Sequence, residues 1–327
     1  MPPLSPHRTQ ARPRHSPSDR LDAALLSLAS GRRRPLLELA RDVPGVVAGM
    51  AAELRLSPEA VAHDLSMLHA AEFEERTEEL TARYDGVLRS RSGIGPGSRA
   101  LDVGCGAGGF TLGLARTAAS VVGIDVAAAL IARARERARA EGMAGATFAV
   151  GDAATHPFEP ASFDAVVSRF GAMYFGHPVP AFANLARALR PGGRLALVAW
   201  RELGANQWMS LVGDALAAGR PLPDRPPGDP GAFGLADEGA VRAVLAGAGF
   251  ADVVVEAVDE PVVLGPGAGA AFDFVSTLDL SRRLLEGLEG ADRRAALARL
   301  RALLVAHETP AGVLLGSGAW VVTARRP

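Results

Sequence analysis

The chain has 327 residues, of which 48% are hydrophobic, 22% charged and 5% aromatic, with a formal net charge of −1. That length suits one large domain or two ordinary ones, and the apolar share is enough for a buried core, which excludes global disorder. Near-neutral charge argues against a protein whose main work is coating nucleic acid or an anionic membrane.

A single cysteine, Cys105, rules out an intrachain disulfide and any cysteine-built zinc or iron–sulfur site. All 35 basic residues are arginine, which removes lysine Schiff-base chemistry and a phosphate-binding P-loop lysine. Residues 1–20 carry Arg8, Arg12, Arg14 and Arg20 among five prolines, with no apolar run of the signal-peptide kind. No stretch approaches the ~20 apolar residues of a spanning helix, so the expectation is a soluble, cytoplasmic protein.

In chain order, residues 1–19 read as a disordered tail. Residues 20–92 read as a helical unit: Leu21, Leu25 and Leu28 recur at helical spacing, and Ser57-Pro58-Glu59 forms a helix start. Ser92–Ser98, with three glycines and a proline, is a break. Beyond it, strands and helices alternate. Strands are predicted at Arg99–Val103, Val121–Ile124, Thr147–Val150, Phe163–Ser168 and Arg194–Trp200, with helices at Phe110–Ala118, Ala128–Ala140 and Val179–Leu189 between them. Such alternation implies a parallel sheet covered by helices on both faces. Residues 202–236 read as irregular and proline-rich. A helix follows at Glu238–Ala248, a strand at Val253–Val258, mostly helix over 268–307, and a last strand at Ala319–Ala324.

The informative stretch is Leu101-Asp102-Val103-Gly104-Cys105-Gly106-Ala107-Gly108-Gly109-Phe110, where a strand ends, glycines turn and a helix begins. Glycines there allow a tight turn and close approach of a ligand to backbone. Gly104, Gly106 and Gly109 also satisfy a dinucleotide pattern, and Asp125, at the end of the second strand, could hold ribose hydroxyls of any adenosine ligand. Asp102 and Asp152 are then expected to join Asp125 along one crevice with no basic residue among them. Such a crevice disfavours a pyrophosphate and favours a ligand with ammonium and sulfonium charges.

Leu101–Gly108 resembles motif I of class I S-adenosylmethionine-dependent methyltransferases. Gly123-Ile124-Asp125 resembles their ribose-binding acid, Gly151-Asp152-Ala153 their adenine contact, and Phe163–Ser168 and Leu189–Leu195 their fourth strand and the turn into their fifth. The resemblance implies an α/β fold: a doubly wound, Rossmann-like, seven-stranded sheet with the last strand antiparallel, here with an N-terminal helical unit and helical lid insertions. Domains would then be the tail 1–19, the helical unit 20–92, and a methyltransferase domain 93–327 with insertions at 202–236 and 259–318. The resemblance implies the cofactor S-adenosyl-L-methionine, with Asp102, Gly104, Gly106 and Gly108 at its methionine end, Asp125 at ribose, and Asp152 and Ala153 at adenine. Ser168 and Arg169 would offer backbone to its ammonium.

Methyl transfer is an in-line displacement in which the protein mainly orients and desolvates the partners. Phe170, Tyr174 and Phe175 follow the fourth strand, on the expected acceptor side, with His177 as the candidate base and Tyr174 beside it. Trp200, Asn206 and Trp208 are candidate pocket walls, and the acceptor is expected to be a small molecule. The residues also admit two other readings. Residues 36–75 faintly resemble a winged helix, which would make the protein an S-adenosylmethionine-responsive transcriptional regulator. Leu56–Glu75 holds five acids and no arginine, which disfavours DNA and leaves homodimer formation or a lid as its expected role. The other is an NAD(P)-dependent oxidoreductase.

Overall fold

The computed structural model describes residues 51, 76–222 and 231–327. The expected tail, nearly all of the helical unit before residue 76, the winged-helix resemblance and much of the proline loop lie outside the described residues. The unit Phe73–Pro327 is compact and carries the sheet.

Chain order in that unit is α1 (Tyr84–Ser92), β1 (Arg99–Val103), α2 (Gly109–Ala115), β2 (Ser120–Asp125), α3 (Ala128–Ala140), β3 (Ala146–Val150) and β4 (Phe163–Arg169). Then come α4 (Pro178–Ala188), β5 (Leu189–Trp200), α5 (Gln207–Ala217), α6 (Glu238–Gly247) and β6 (Ala251–Gly265). The last elements are α7 (Ala268–Thr277), α8 (Asp279–Leu285), α9 (Gly290–Ala306), the two-residue β7 (Glu308–Thr309) and β8 (Gly312–Arg325). The sheet order is β3-β2-β1-β4-β5-β8-β6, with β7 pairing beside β8. β1 pairs in parallel with β2 and β4, β2 with β3, and β4 with β5; β8 runs antiparallel to both β5 and β6. This is the Rossmann-like sheet that the alternation implied, with its last strand reversed.

β1 has both faces covered, which is why Ala-Leu-Asp-Val is buried throughout with no alternation. In α3, Ile131, Ala134 and Ala138 form the buried stripe. Helix α1 belongs to this unit and not to a separate N-terminal one: Tyr84 and Leu88 are fully buried in the core it shares with β4 and β5. The domain border expected at residue 93 therefore moves upstream. Gly93, with φ 68°, ends α1 as a left-handed cap and is not a domain linker.

Two regions depart from expectation. Residues 207–217, read as irregular, form α5, which buries Trp208, Val212 and Leu216 at i, i+4 and i+8. The last two strands are much longer than read. β8 pairs with β5 only from Ala319 to Arg325, and its earlier residues run on past Trp200, Val313–Gly318 paired with β6 and Gly312–Val313 also with β7. The β6–β8 ribbon thus projects beyond the carboxyl ends of the parallel strands. Helices α5 and α7 pack against it, and α9 packs on both of them.

Candidate active site

In a doubly wound sheet the ligand crevice lies at the carboxyl ends of the strands where the order reverses. Here that point lies between β1 and β4, with β2 and β3 on the far side of β1. The glycine turn after β1 sits there. Gly104, Gly106 and Gly108 have φ of 69°, 54° and 85°, values at which a side chain is strained. The N–H groups of Gly104 and Cys105 both donate to the Ile124 carbonyl at 2.9 and 3.1 Å, tying the turn to β2. The N–H of Gly106 donates to Asp125 Oδ2 at 3.0 Å and that of Ala127 to Asp125 Oδ1 at 2.9 Å. Asp125 is thus the brace of the turn. Each of its oxygens keeps a second lone pair for a hydroxyl.

Asp102 departs from expectation. Its carboxylate is not open to solvent but fully buried, with Oδ2 accepting from Thr111 Oγ1 at 2.6 Å and Oδ1 buried without a hydrogen-bond partner. Burial pushes its pKa up to about 6, against the Thr111 hydrogen bond and the nearby Arg169 charge, which pull it down. A buried acceptor with no donor calls for a ligand or water to complete it.

The expected absence of cations is also corrected. Arg169, at the end of β4, contributes its side chain as well as its backbone. Its Nη1 is 2.8 Å from Asp85 Oδ1 and its guanidinium lies 5.8 Å from the Phe110 ring centroid. Asp85 is raised by burial and held back by Arg169. A cleft of about 430 Å³ opens beside the turn, lined by Glu78, Glu79, Ala82, Asp85, Gly109, Arg137 and Arg169. In it, Glu78 accepts from the Gly109 N–H at 2.9 Å and from Arg137 Nη1 at 2.9 Å. The charge at the crevice is therefore mixed, because side chains distant in sequence meet there in pairs, Asp85 of α1 with Arg169 of β4 and Glu78, ahead of α1, with Arg137 of α3.

Asp152 is exposed at the end of β3, where its Oδ1 accepts from the Ala154 N–H at 2.9 Å; Ala153 beside it is buried. Ser168 is buried, and its hydroxyl donates to the Val103 carbonyl at 2.8 Å while accepting from the Ala172 N–H at 2.9 Å. Asp102, Gly104, Gly106, Gly108, Asp125, Ser168 and Arg169 thus converge on the ends of β1, β2 and β4, with Asp152 and Ala153 after β3.

The acceptor-side residues separate. Tyr174 is 54% exposed and His177, just before α4, is also exposed. Phe170 is buried, stacked on Trp200 at 3.9 Å between centroids, and Phe175 packs edge-on against Phe182. Trp200, Trp208 and Asn206 are buried as well. The Asn206 amide donates to the carbonyls of Arg201, Glu202 and Gly318, and its oxygen accepts from the Gly318 N–H and Trp208 Nε1. Its role is to lock the start of α5 to β8. Sequence reasoning missed Thr111, Asp85, Glu78 and Gly171. Of these, Thr111, in the first turn of α2 and nine residues beyond Asp102, had a legible signal.

Residues 101–197 match the family model described as a methyltransferase domain. An uncharacterized protein of Mycobacterium bovis is 35% identical over 123 residues, 38% of this chain and 44% of that protein. Cycloartenol-C-24-methyltransferase 1 of Oryza sativa subsp. japonica is 31% identical over 156 residues, 46% of this chain and 45% of that protein. The chain spans about half the length of the curated relatives it matches. Among solved structures, the YcgJ protein of Bacillus subtilis superposes with a TM-score of 0.51 at 16% identity, over 75% of this chain and 98% of that one, a likeness of fold. The sheet order, the glycine turn at its switch point and the match to a methyltransferase-domain model thus fall on the same stretch of chain, residues 101–197.

Proposed function

We propose that the protein binds S-adenosylmethionine at the carboxyl ends of β1, β2 and β4 and transfers its methyl group to a small-molecule acceptor. The observation that carries this reading is the turn at Gly104–Gly108 over the β1/β4 switch point, with the Gly106 N–H held by Asp125 Oδ2 while Oδ1 accepts from the Ala127 N–H after β2. The buried, partnerless Oδ1 of Asp102 supports it, since a donor with an ammonium group supplies the missing hydrogen bond directly or through water.

In this reading Asp102, Gly104, Gly106 and Gly108 hold the methionine end, Asp125 the ribose, and Asp152 and Ala153 the adenine. The backbone at Ser168 and Arg169 faces the ammonium. The donor, when bound, supplies a carbon already activated by its sulfonium. The protein's part is to fix that carbon in line with the acceptor and keep water out. The mixed charge beside the turn suits the zwitterionic end of such a donor better than a pyrophosphate. Tyr174 and His177 lie on the exposed rim after β4, where a base would act if the acceptor must lose a proton.

Calorimetry with S-adenosylhomocysteine tests the reading. Binding that is weakened at least about tenfold in Asp125→Ala is the expected result. A folded protein stabilised by NAD(P) and indifferent to S-adenosylhomocysteine would overturn it in favour of an oxidoreductase.

A further inference from the structure

Gly171 follows β4 by two residues, and its φ of −94° and ψ of −45° are open to any amino acid. Backbone conformation therefore does not require glycine there, but space does. A Cβ at Gly171 would stand 2.7 Å from the Val103 carbonyl oxygen, 2.9 Å from Gly104 Cα and 3.2 Å from Ser168 Oγ. Reciprocally, a Cβ at Gly104 would stand 2.8 Å from Gly171 Cα. The chain leaving β4 thus rests backbone to backbone on the chain leaving β1. The Ser168 hydroxyl staples the two together by bonding Val103 on one side and Ala172 on the other.

The residue before, Phe170, is bound in the other direction. It is non-glycine with φ 58°, a left-handed conformation that persists only where surroundings impose it. Those surroundings are visible: its N–H donates to the Val198 carbonyl at 2.9 Å, its ring stacks on Trp200, and Tyr84 meets it edge-on at 5.3 Å. One dipeptide is therefore fastened to β5 and the aromatic cluster by its first residue, and bears on the glycine turn with its second.

We infer that Gly171, held by Phe170, is a positioning residue of the donor site: it sets where Gly104 stands, and so where the methionine end of the donor lies, without touching the donor. The inference rests on the reading that this turn holds S-adenosylmethionine. It concerns only the β1/β4 side of the crevice, since the adenosine contacts proposed above lie on β2 and after β3.

The test is Gly171→Ala, titrated by calorimetry with S-adenosylhomocysteine and with 5′-methylthioadenosine, which shares the adenosine and thioether but lacks the amino-acid end. The expected result is an affinity for S-adenosylhomocysteine lowered at least about tenfold, with 5′-methylthioadenosine changed by less than about twofold. Gly269→Ala, in α7 with nothing within 4 Å of the new methyl, is the neutral control. Unchanged affinity for S-adenosylhomocysteine, or equal loss of both ligands, overturns the inference, because general loosening of the fold does not tell the two apart. If Gly171→Ala fails to fold, Phe170→Gly keeps the left-handed backbone and removes the stack, and the same selective loss is expected. Wild-type protein that binds neither nucleoside defeats the donor reading itself and this inference with it. Wild-type binding with both variants unaffected defeats this inference alone.

Discussion

The crevice at the ends of β1, β2 and β4 and the region around the β6–β8 ribbon are built on opposite plans. On the donor side, β1, β2 and β4 end in short turns whose contacts are largely made by backbone. Glycines with positive φ, the Ile124 carbonyl taking two N–H groups, and the Asp125 carboxylate taking two more leave little for other side chains to add. On the far side, the β6–β8 ribbon and helices α5, α7 and α9 are held by side chains remote in sequence. Tyr84 Oη meets Ser317 Oγ at 2.8 Å across 233 positions, and Asn206 ties α5 to β8. The first plan tolerates almost no added atoms. The second tolerates variation in sequence so long as the core volumes fit.

Substitutions should separate these plans, and the largest effect is expected on the far side. Trp208→Ala removes a buried ring that packs on Trp200 at 5.5 Å and should cost about 3–5 kcal/mol of stability in urea unfolding. If the folded fraction keeps its affinity for S-adenosylhomocysteine, the two regions are energetically separate. Gly104→Val strains a φ of 69° and drives a side chain into Gly171. A loss of donor affinity of about 100-fold or more should follow, read by calorimetry, with a smaller change in melting temperature.

Asp125→Ala removes the brace and the proposed ribose contact together. About 1.5–3 kcal/mol of binding should be lost, the range of hydrogen bonds to a charged group. Tyr84→Phe deletes a buried hydroxyl and leaves Ser317 with the Glu260 carbonyl as acceptor. A loss near 1 kcal/mol in stability is expected with donor affinity unchanged. A Tyr84→Phe variant that loses donor affinity would break the separation.

The smallest effect is in pH. Asp102 is raised by burial from its ordinary 3.8 to about 6. Between those values the folded protein holds a proton that the unfolded chain has lost, so this group's contribution to stability falls as pH rises from about 4 to 6. Donor binding should run the other way. A cationic ligand prefers the ionised carboxylate, so affinity should climb as pH rises through about 6 and then level. Thr111→Val removes the hydrogen bond that favours the ionised form, and should move that midpoint upward. A midpoint that stays put would show that Asp102 is not the group being titrated.

The contrast also explains what could be read in advance. The glycine turn, the acid at the end of β2 and the strand-helix rhythm are local: each depends on residues within one element or its flanking turn, and periodicity and glycine placement report such things. The β6–β8 ribbon was seen only at its paired core. Residues 259–265 and 312–318 are strand because they pair with each other, across a helical insertion that no local window spans. Helix α5 was lost in a segment read through its prolines, although its buried stripe of Trp208, Val212 and Leu216 is regular.

The sequence by itself thus determined the sheet class, the glycine turn and the identity of the acids around it, because backbone conformation and strand ends are properties of neighbouring residues. Only the tertiary structure decided where those acids point: Asp102 inward to Thr111, Asp125 onto the N–H groups of Gly106 in the turn and of Ala127, Asp85 and Glu78 against Arg169 and Arg137. Charge and burial at a site are sums over everything packed around it, and most of what surrounds this one comes from elements that are distant along the chain.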